Sequence, residues 1–159
     1  MMEMREIAGL SHDELTTLVR ELSQGEGMTD EALKLSAARR GLDPNIAAEL
    51  RTAIVDASEL IIEAVHRRAI RSALGIETAG QTLTQRRLKY MNETGLSQRT
   101  LVRHEIEGAE AIAEILPRLE HIREQDAAKV ETERELEINE LKRDIGEIKS
   151  MLNQLLHAS

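Results

Sequence analysis

The sequence of 159 residues predicts an all-α protein, and three observations support this prediction. Hydrophobic residues make up 41% of the chain, but Tyr90 is its only aromatic residue. Helices pack well with Leu, Ile, Ala and Met, whereas strands favour aromatic and β-branched side chains. The only prolines are Pro44 and Pro117, so long helices meet few interruptions. Apolar residues also recur at helical spacing along most of the chain.

The composition excludes several classes of protein. Because the chain has no cysteine, disulfides and thiolate metal sites are excluded. The first residues carry acidic side chains where a signal peptide needs basic ones. No apolar run approaches the roughly 18 residues that are needed to span a bilayer. We therefore expect a soluble, cytoplasmic protein without a membrane partner.

The first predicted domain, residues 1–42, is a helical hairpin. Ser11 and Glu14 have the spacing of a capping box, which predicts the start of the first helix. Thr29 is placed to cap a second helix, which we expect to end at Gly41. Nothing in the hairpin suggests catalysis, so it serves either core packing or the docking of a partner.

The second predicted domain covers residues 43–116 and begins with a long helix. Asp43 and Pro44 are a capping residue and a first-turn proline, which together favour a helix start. The apolar residues that follow lie on more than one side of a helix, as is typical of a helix at the centre of a domain or an oligomer. We predict that this helix continues without a break to Leu74, before Gly75.

The charge of the chain is distributed unevenly. The net charge is −8, which by itself argues against nucleic acid as a partner. However, residues 66–104 contain eight Lys and Arg but only two Asp and Glu, whereas both flanking segments are acidic. A local patch sets the field that a phosphate group feels, so this distribution favours nucleic-acid binding despite the total.

The basic segment contains the most specific motif, QRRLKYMNETGLSQRTLVRHE, at residues 85–105. A helix capped by Thr82 or Thr84 ends at Gly95, a residue that tolerates the left-handed conformation. Leu96 is apolar, and Ser97 is placed to cap a second helix from Gln98. This order resembles the helix-turn-helix of DNA-binding proteins, whose second helix lies in the major groove. We therefore expect a central helix-turn-helix at about residues 83–105.

The resemblance implies roles for the side chains of this motif. The start of the second helix is expected to contact base edges, since Arg and Gln have the paired groups that recognise guanine and adenine. These base-contacting residues are Gln98, Arg99 and Val102. The residues expected to contact phosphates are Arg86, Arg87, Lys89, Ser97, Thr100 and Arg103. Leu83, Leu88 and Met91 are expected to face inward. His66, Arg67, Arg68 and Arg71, at the end of the preceding helix, either line the same groove or form a solvated face.

The third predicted domain, residues 118–159, is one coiled-coil helix that begins after a break at Pro117. Its apolar residues are spaced alternately by three and four, which is the heptad pattern of a coiled coil. A helix with such a stripe needs a partner, either a second copy of the chain or residues 44–74 of the same chain. The predicted oligomerisation residues are Ile138, Leu141, Ile145, Ile148, Leu152 and Leu155.

No motif in the chain indicates an enzyme. The five histidines are scattered, and His104-Glu105 lacks the second histidine of the His-Glu-x-x-His zinc motif. Glycine-rich phosphate loops and G-x-S-x-G turns are absent from the sequence. We therefore expect no catalytic activity, no metal and no cofactor.

Together these patterns predict a sequence-specific DNA-binding protein, of the type of an oligomeric transcriptional regulator. Its expected partners are double-stranded DNA and a second or further copy of itself, bound through the C-terminal coiled coil. Two alternatives stay open. One is a non-enzymatic α-helical oligomerisation or adaptor protein, and the other is a DNA-recognition subunit of a phage packaging complex.

Overall fold

The computed structural model describes residues 6–78 and 80–158, and over these residues every regular element is a helix. The all-α prediction is confirmed. The chain divides into two compact units, Met1–Leu119 and Glu120–Ser159. Residues 1–5 and Ser159, the outermost parts of the predicted first and third domains, lie outside the described residues, as does Ala79.

The helices follow each other with short connections. The first unit contains α1 (His12–Leu22), α2 (Asp30–Arg39), α3 (Ala47–Glu59), α4 (Ala64–Ala73), α5 (Leu83–Thr94) and α6 (Gln98–Ile115). Single 3-10 turns precede α3 and follow α6, at Pro44–Ile46 and Leu116–Arg118. The last helix, α7, runs from Leu119 to His157 and supplies the second unit.

Four of the predicted helix starts are confirmed by hydrogen bonds from their caps, whereas Asp43 caps a 3-10 turn and α3 begins only at Ala47. The Ser11 hydroxyl accepts from the Glu14 backbone N–H, and the Glu14 side chain completes a capping box. The Thr29 and Ser97 hydroxyls accept in the same way at the starts of α2 and α6. The threonine that caps α5 is Thr82.

The prediction of one unbroken helix to Leu74 is wrong. The chain leaves α3 after Glu59 and starts α4 at Ala64, and within the connection Ile61 is 3% exposed whereas Ile62 is 92% exposed. The Arg67 Nη1 donates to the Ile61 carbonyl at 2.7 Å, which gives this carbonyl a partner outside a helix. The apolar residues on several sides therefore belong to two helices, each with its own buried face.

The core is centred on the second half of α6. The helix as a whole packs mainly against α1 and α4, and also against α3. The N-terminal hairpin therefore lies within the first unit. The core side chains are buried Leu, Ile, Val and Ala, among them Leu15, Leu18, Leu22, Leu50, Ile54, Ile70, Ala109 and Ile112. The part of α6 within this core includes Ala109, Ile112 and Ala113, whereas Gln98, Arg99 and Arg103 near its start are exposed.

Gly108 is the point of closest approach between α4 and α6. A Cβ atom placed on Gly108 would lie 2.6 Å from Ile70 Cβ and 2.8 Å from the His66 carbonyl oxygen. Such distances are shorter than van der Waals contact, so no side chain fits at this position. The glycine in the middle of α6 thus allows the two helices to touch.

The second unit is a single exposed helix. From Arg123 to Ala158 every residue is exposed, and α7 has 39 residues, or about 58 Å of length. This confirms the predicted long C-terminal helix. The six predicted oligomerisation residues form an apolar stripe along α7, which we call the seam, and they are 50% to 70% exposed. None of the helices in the described ranges combines the length and the apolar character needed to cross a membrane.

Candidate nucleic-acid interface

The corner between α5 and α6 has the predicted local geometry. Gly95 ends α5 in the left-handed conformation, with φ of 72°, and its N–H donates to the Met91 carbonyl at 2.8 Å. Leu96 is half-buried, and Ser97 in an extended conformation caps the next helix. Leu101 is completely buried, so it anchors the first turn of α6 to the rest of the unit.

Three predicted contact residues lie on the exposed side of α6. Gln98, Arg99 and Arg103 are all exposed. Arg99 and Arg103 are four residues apart, so they are neighbours on one face of the helix. Among the described residues, none is within hydrogen-bonding or ion-pairing distance of these three side chains. Their donors are therefore available to a ligand.

Ser97 and Thr100 have structural partners in each other. The Ser97 hydroxyl accepts from the Thr100 N–H at 3.3 Å and donates to the Thr100 hydroxyl at 3.0 Å. These bonds close the first turn of α6. The predicted phosphate contacts of both residues would therefore be additional to a capping role.

Val102 does not share the exposed face of Arg99 and Arg103. It is half-buried and lines a small cavity of about 30 Å³ beside Arg87 and Glu105. Position 102 is one helical turn before Glu105, which faces the interior, so Val102 turns to the same side. Its prediction as a base-contacting residue is not supported.

The prediction that Arg86 contacts phosphate is wrong, because this side chain is 2% exposed. Its Nη2 donates to the carbonyls of Ser23, at 3.0 Å, and Ala73, at 2.7 Å. Its Nη1 donates to the carbonyls of Gly25, at 3.2 Å, and Gln81. Burial lowers the pKa of Arg86 from its ordinary value. The guanidinium therefore holds together the ends of α1 and α4 and the loop before α5.

Of the residues predicted to face inward on α5, Leu83 is buried and Met91 is half-buried, but Leu88 is not buried and Arg86 is. Arg86 is buried, whereas Leu88 is 55% exposed. Carbonyl groups at helix C-termini lack partners within the helix and form the negative end of its dipole. A guanidinium satisfies several of them at once, which leucine cannot do. No signal in the order of residues identifies this role, since the carbonyls come from distant parts of the chain.

Arg87 is also engaged within the protein. Its Nε lies 3.1 Å from Oε1 of Glu105, and its Nη2 lies 2.7 Å from Oε2. The Glu105 side chain is 8% exposed and that of Arg87 is 25% exposed. This two-point ion pair joins α5 to α6 behind the exposed face, so the predicted phosphate contact of Arg87 is replaced by a structural role.

Lys89 lies at a cavity of about 400 Å³ between α4 and α5. The other cations along it are Arg67, Arg68, Arg71 and the buried Arg86. The α4 arginines therefore line this cavity with Lys89. Arg71 is near two carboxylates, at 3.8 Å from Glu59 and 3.6 Å from Glu77.

Two cationic side chains at this cavity, those of Arg68 and Lys89, remain available to bind a ligand. Arg67 donates to a backbone carbonyl, whereas Arg68 and Lys89 are exposed and have no hydrogen bond or ion pair within the described ranges. Burial raises the pKa of Tyr90, which also lines the cavity. Because its side chain is exposed and unpaired among the described residues, Lys89 can contact a phosphate as predicted, and the same holds for Arg68.

Comparisons of this chain with protein-family models, with curated proteins and with solved structures found no significant match. In the described part of the chain, no cluster of three or more His, Asp or Glu side chains could hold a metal ion. The resemblance to a helix-turn-helix therefore depends on the local geometry of the α5–α6 corner alone.

Proposed function

We propose that this protein is a homo-oligomeric, sequence-specific DNA-binding protein of the transcriptional-regulator type. One observation supports the proposal more than any other. The first turns of α6 present Gln98, Arg99 and Arg103 on an exposed face, while buried residues further along the helix, among them Ala109 and Ile112, anchor it in the core. A rigid helix with exposed polar side chains near its start is what the major groove accommodates.

The chemistry of these side chains assigns their roles. Arg99 has the forked donors that bind O6 and N7 of guanine, and Gln98 can pair with N6 and N7 of adenine. Arg103 lies one turn further along α6 and would reach a phosphate. Phosphate contacts from Arg68 and Lys89 would supply affinity without sequence information.

The acidic remainder of the chain fits the same proposal. Only residues 66–104 carry a marked excess of positive charge. DNA would therefore be attracted to this region and repelled elsewhere, which limits non-specific binding. Pairing of α7 with another copy would bring two corners to one duplex, with half-sites about 34 Å apart or a multiple of this distance.

The test is selection of bound sequences from random double-stranded DNA with the full-length protein. We expect enrichment of a spaced inverted repeat. Arg99→Ala should then lose preference at one base pair of each half-site, at a cost of about 1–3 kcal/mol. The matched control is Arg143→Ala, which removes the same charge from an exposed position of α7. Failure of the parent to enrich any sequence would refute the proposal.

A second candidate is a helical oligomerisation or adaptor protein that does not bind DNA. The exposed apolar seam of α7 favours it, because this surface needs a protein partner whether or not DNA binds. A gel-shift titration at low and moderate salt separates the two candidates. Self-association without any shift of DNA would favour the adaptor.

A further inference from the structure

We propose that the occupant of the α7 seam is a second copy of the chain, bound parallel and in register. This inference uses the self-association part of the proposed function and is independent of DNA binding. In heptad notation, the a positions are Ile138, Ile145 and Leu152, and the d positions are Leu141, Ile148 and Leu155. Each of these six side chains is at least half exposed in the single chain.

The charges beside the seam identify the partner. The g positions are Glu137 and Asp144, and the e positions are Lys142 and Lys149. In a parallel, in-register pair, each g residue faces the e residue five positions further on in the other helix. Glu137 would therefore meet the partner's Lys142, and Asp144 would meet the partner's Lys149.

An antiparallel pair would have the opposite electrostatics. It places e positions against e positions and g positions against g positions. Lys142 and Lys149 would then face lysines, while Glu137 and Asp144 would face carboxylates. Like charges across such an interface are unfavourable, so the sequence of one helix favours parallel pairing with its own copy.

The next heptad extends the apolar surface. Met151 at g and Leu156 at e are 63% and 72% exposed. In parallel register Met151 would pack against the partner's Leu156, which widens the seam at the C-terminal end. Towards the N-terminus, Glu131 and Arg134 occupy a and d positions, so close pairing should begin at Ile138.

The choice of side chains also favours two strands. Ile at a with Leu at d is the combination typical of parallel dimers. Two of the three a positions are Ile and two of the three d positions are Leu. Since α7 begins at Leu119 in each copy, parallel pairing would connect both first units to the same end of the coiled coil.

The decisive variant exchanges all four charges: Glu137→Lys, Asp144→Lys, Lys142→Glu and Lys149→Glu. Parallel pairing predicts that this variant forms dimers as the parent does but does not form mixed dimers with the parent. Antiparallel pairing predicts preferential mixed dimers. Native mass spectrometry of full-length proteins that differ in isotope label measures the two populations.

Two further variants act as controls. Lys142→Glu with Lys149→Glu should weaken self-association on the order of 10–100-fold, because the opposite-sign pairs become like-sign pairs. Adding the Glu137→Lys, Asp144→Lys protein should restore association as mixed dimers. Lack of restoration would show that these charges do not lie at the interface.

The cysteine-free chain allows an independent measurement of register. Leu155→Cys at a d position should form a disulfide between copies on mild oxidation. Asn153→Cys, which is two residues away on the outer side, should do so far more slowly. Equal rates for the two variants, or a parent protein that is monomeric in light scattering, would overturn the proposal. None of these readouts involves DNA, so they separate this inference from the DNA-binding proposal.

Discussion

Arg87 of α5 and Glu105 of α6 form a two-point ion pair on the inner side of the helical corner. The distances are 3.1 Å from Nε to Oε1 and 2.7 Å from Nη2 to Oε2. Because Glu105 is almost completely buried, this pair fixes one helix against the other rather than offering a charge to a ligand. The arginines of the corner therefore differ in role. Arg87 links α5 to α6, while Arg99 and Arg103 remain exposed.

The first prediction concerns this pair. Arg87→Met should lower the free energy of unfolding by about 3 kcal/mol, because it leaves a buried carboxylate without its partner. Replacing both partners, by Arg87→Met with Glu105→Leu, should recover much of this loss, since no buried charge remains. Urea unfolding of the two single variants and the double variant measures the coupling. Additive effects would contradict the assigned pairing.

The second prediction concerns Arg86. Arg86→Met should destabilise the protein by about 3 kcal/mol or more, because four backbone carbonyls lose their donor. Lys89→Met removes the same charge from the same helix at an exposed position. Its effect should stay within about 0.5 kcal/mol. Equal thermal stability of the two variants would show that Arg86 has no structural role.

The third prediction compares two glycines in helices. Gly108→Ala should destabilise the protein by about 1–3 kcal/mol, because the new methyl group would overlap with Ile70 and the His66 carbonyl. Gly146→Ala is the matched control, since nothing lies within 4 Å of its Cβ position. There the higher helix propensity of alanine should stabilise α7 by up to about 1 kcal/mol. Thermal unfolding should therefore move in opposite directions for the two variants.

The fourth prediction concerns the salt dependence of DNA binding. Arg103→Ala should weaken binding to all sequences alike and reduce the slope of log K against log salt by about 0.9. Lys89→Ala and Arg68→Ala should act in the same way. Gln98→Ala should instead change base preference and leave the slope intact. Fluorescence anisotropy across a salt series measures these slopes, and an unchanged slope in all three cation variants would remove their phosphate contacts.

The fifth prediction concerns pH. Hydrogen bonding to Arg40 at 2.9 Å is the main cause that lowers the pKa of Glu21 below its usual 4.5. A lowered pKa in the folded state stabilises the protein above the ordinary pKa, and this contribution is lost as the pH falls through the folded-state value. Glu21→Gln should therefore cost at most about 1 kcal/mol at neutral pH, since the pair is partly exposed.

The same comparison in acid completes this test. Parent and Glu21→Gln should converge in stability well below pH 4.5, where the carboxyl group is protonated in both the folded and the unfolded parent. Chemical unfolding at several pH values measures the difference. A difference that stays constant from neutral to acid pH would exclude ionisation as the source of the stabilisation.

Local features of this fold could be predicted from the sequence. Ser11, Thr29 and Ser97 cap their helices through residues three positions away, and Gly95 ends α5 through its own backbone conformation. Such signals are contained within a few residues. The exposure of Gln98 and Arg99 could also be predicted, because they begin the second helix of a motif that resembles a helix-turn-helix.

Features that depend on distant segments could not be predicted. The break after Glu59 has no glycine or proline to mark it, and the α4 that follows packs against α6, a helix distant in the sequence. Arg86 becomes buried because carbonyls of Ser23 and Ala73 surround it. The number of basic residues therefore overestimates the surface available to DNA, because Arg86 and Arg87 of α5 bind partners within the protein.

The contact at Gly108 has a mechanical consequence. With Ile70 and the His66 carbonyl directly against the α6 backbone, α4 and α6 have no clearance to slide past each other. We therefore expect a tilt of α6, which carries Arg99, to displace Arg67, Arg68 and Arg71 of α4. We therefore expect a displacement of either helix, for example on binding of a ligand, to change the position of the other.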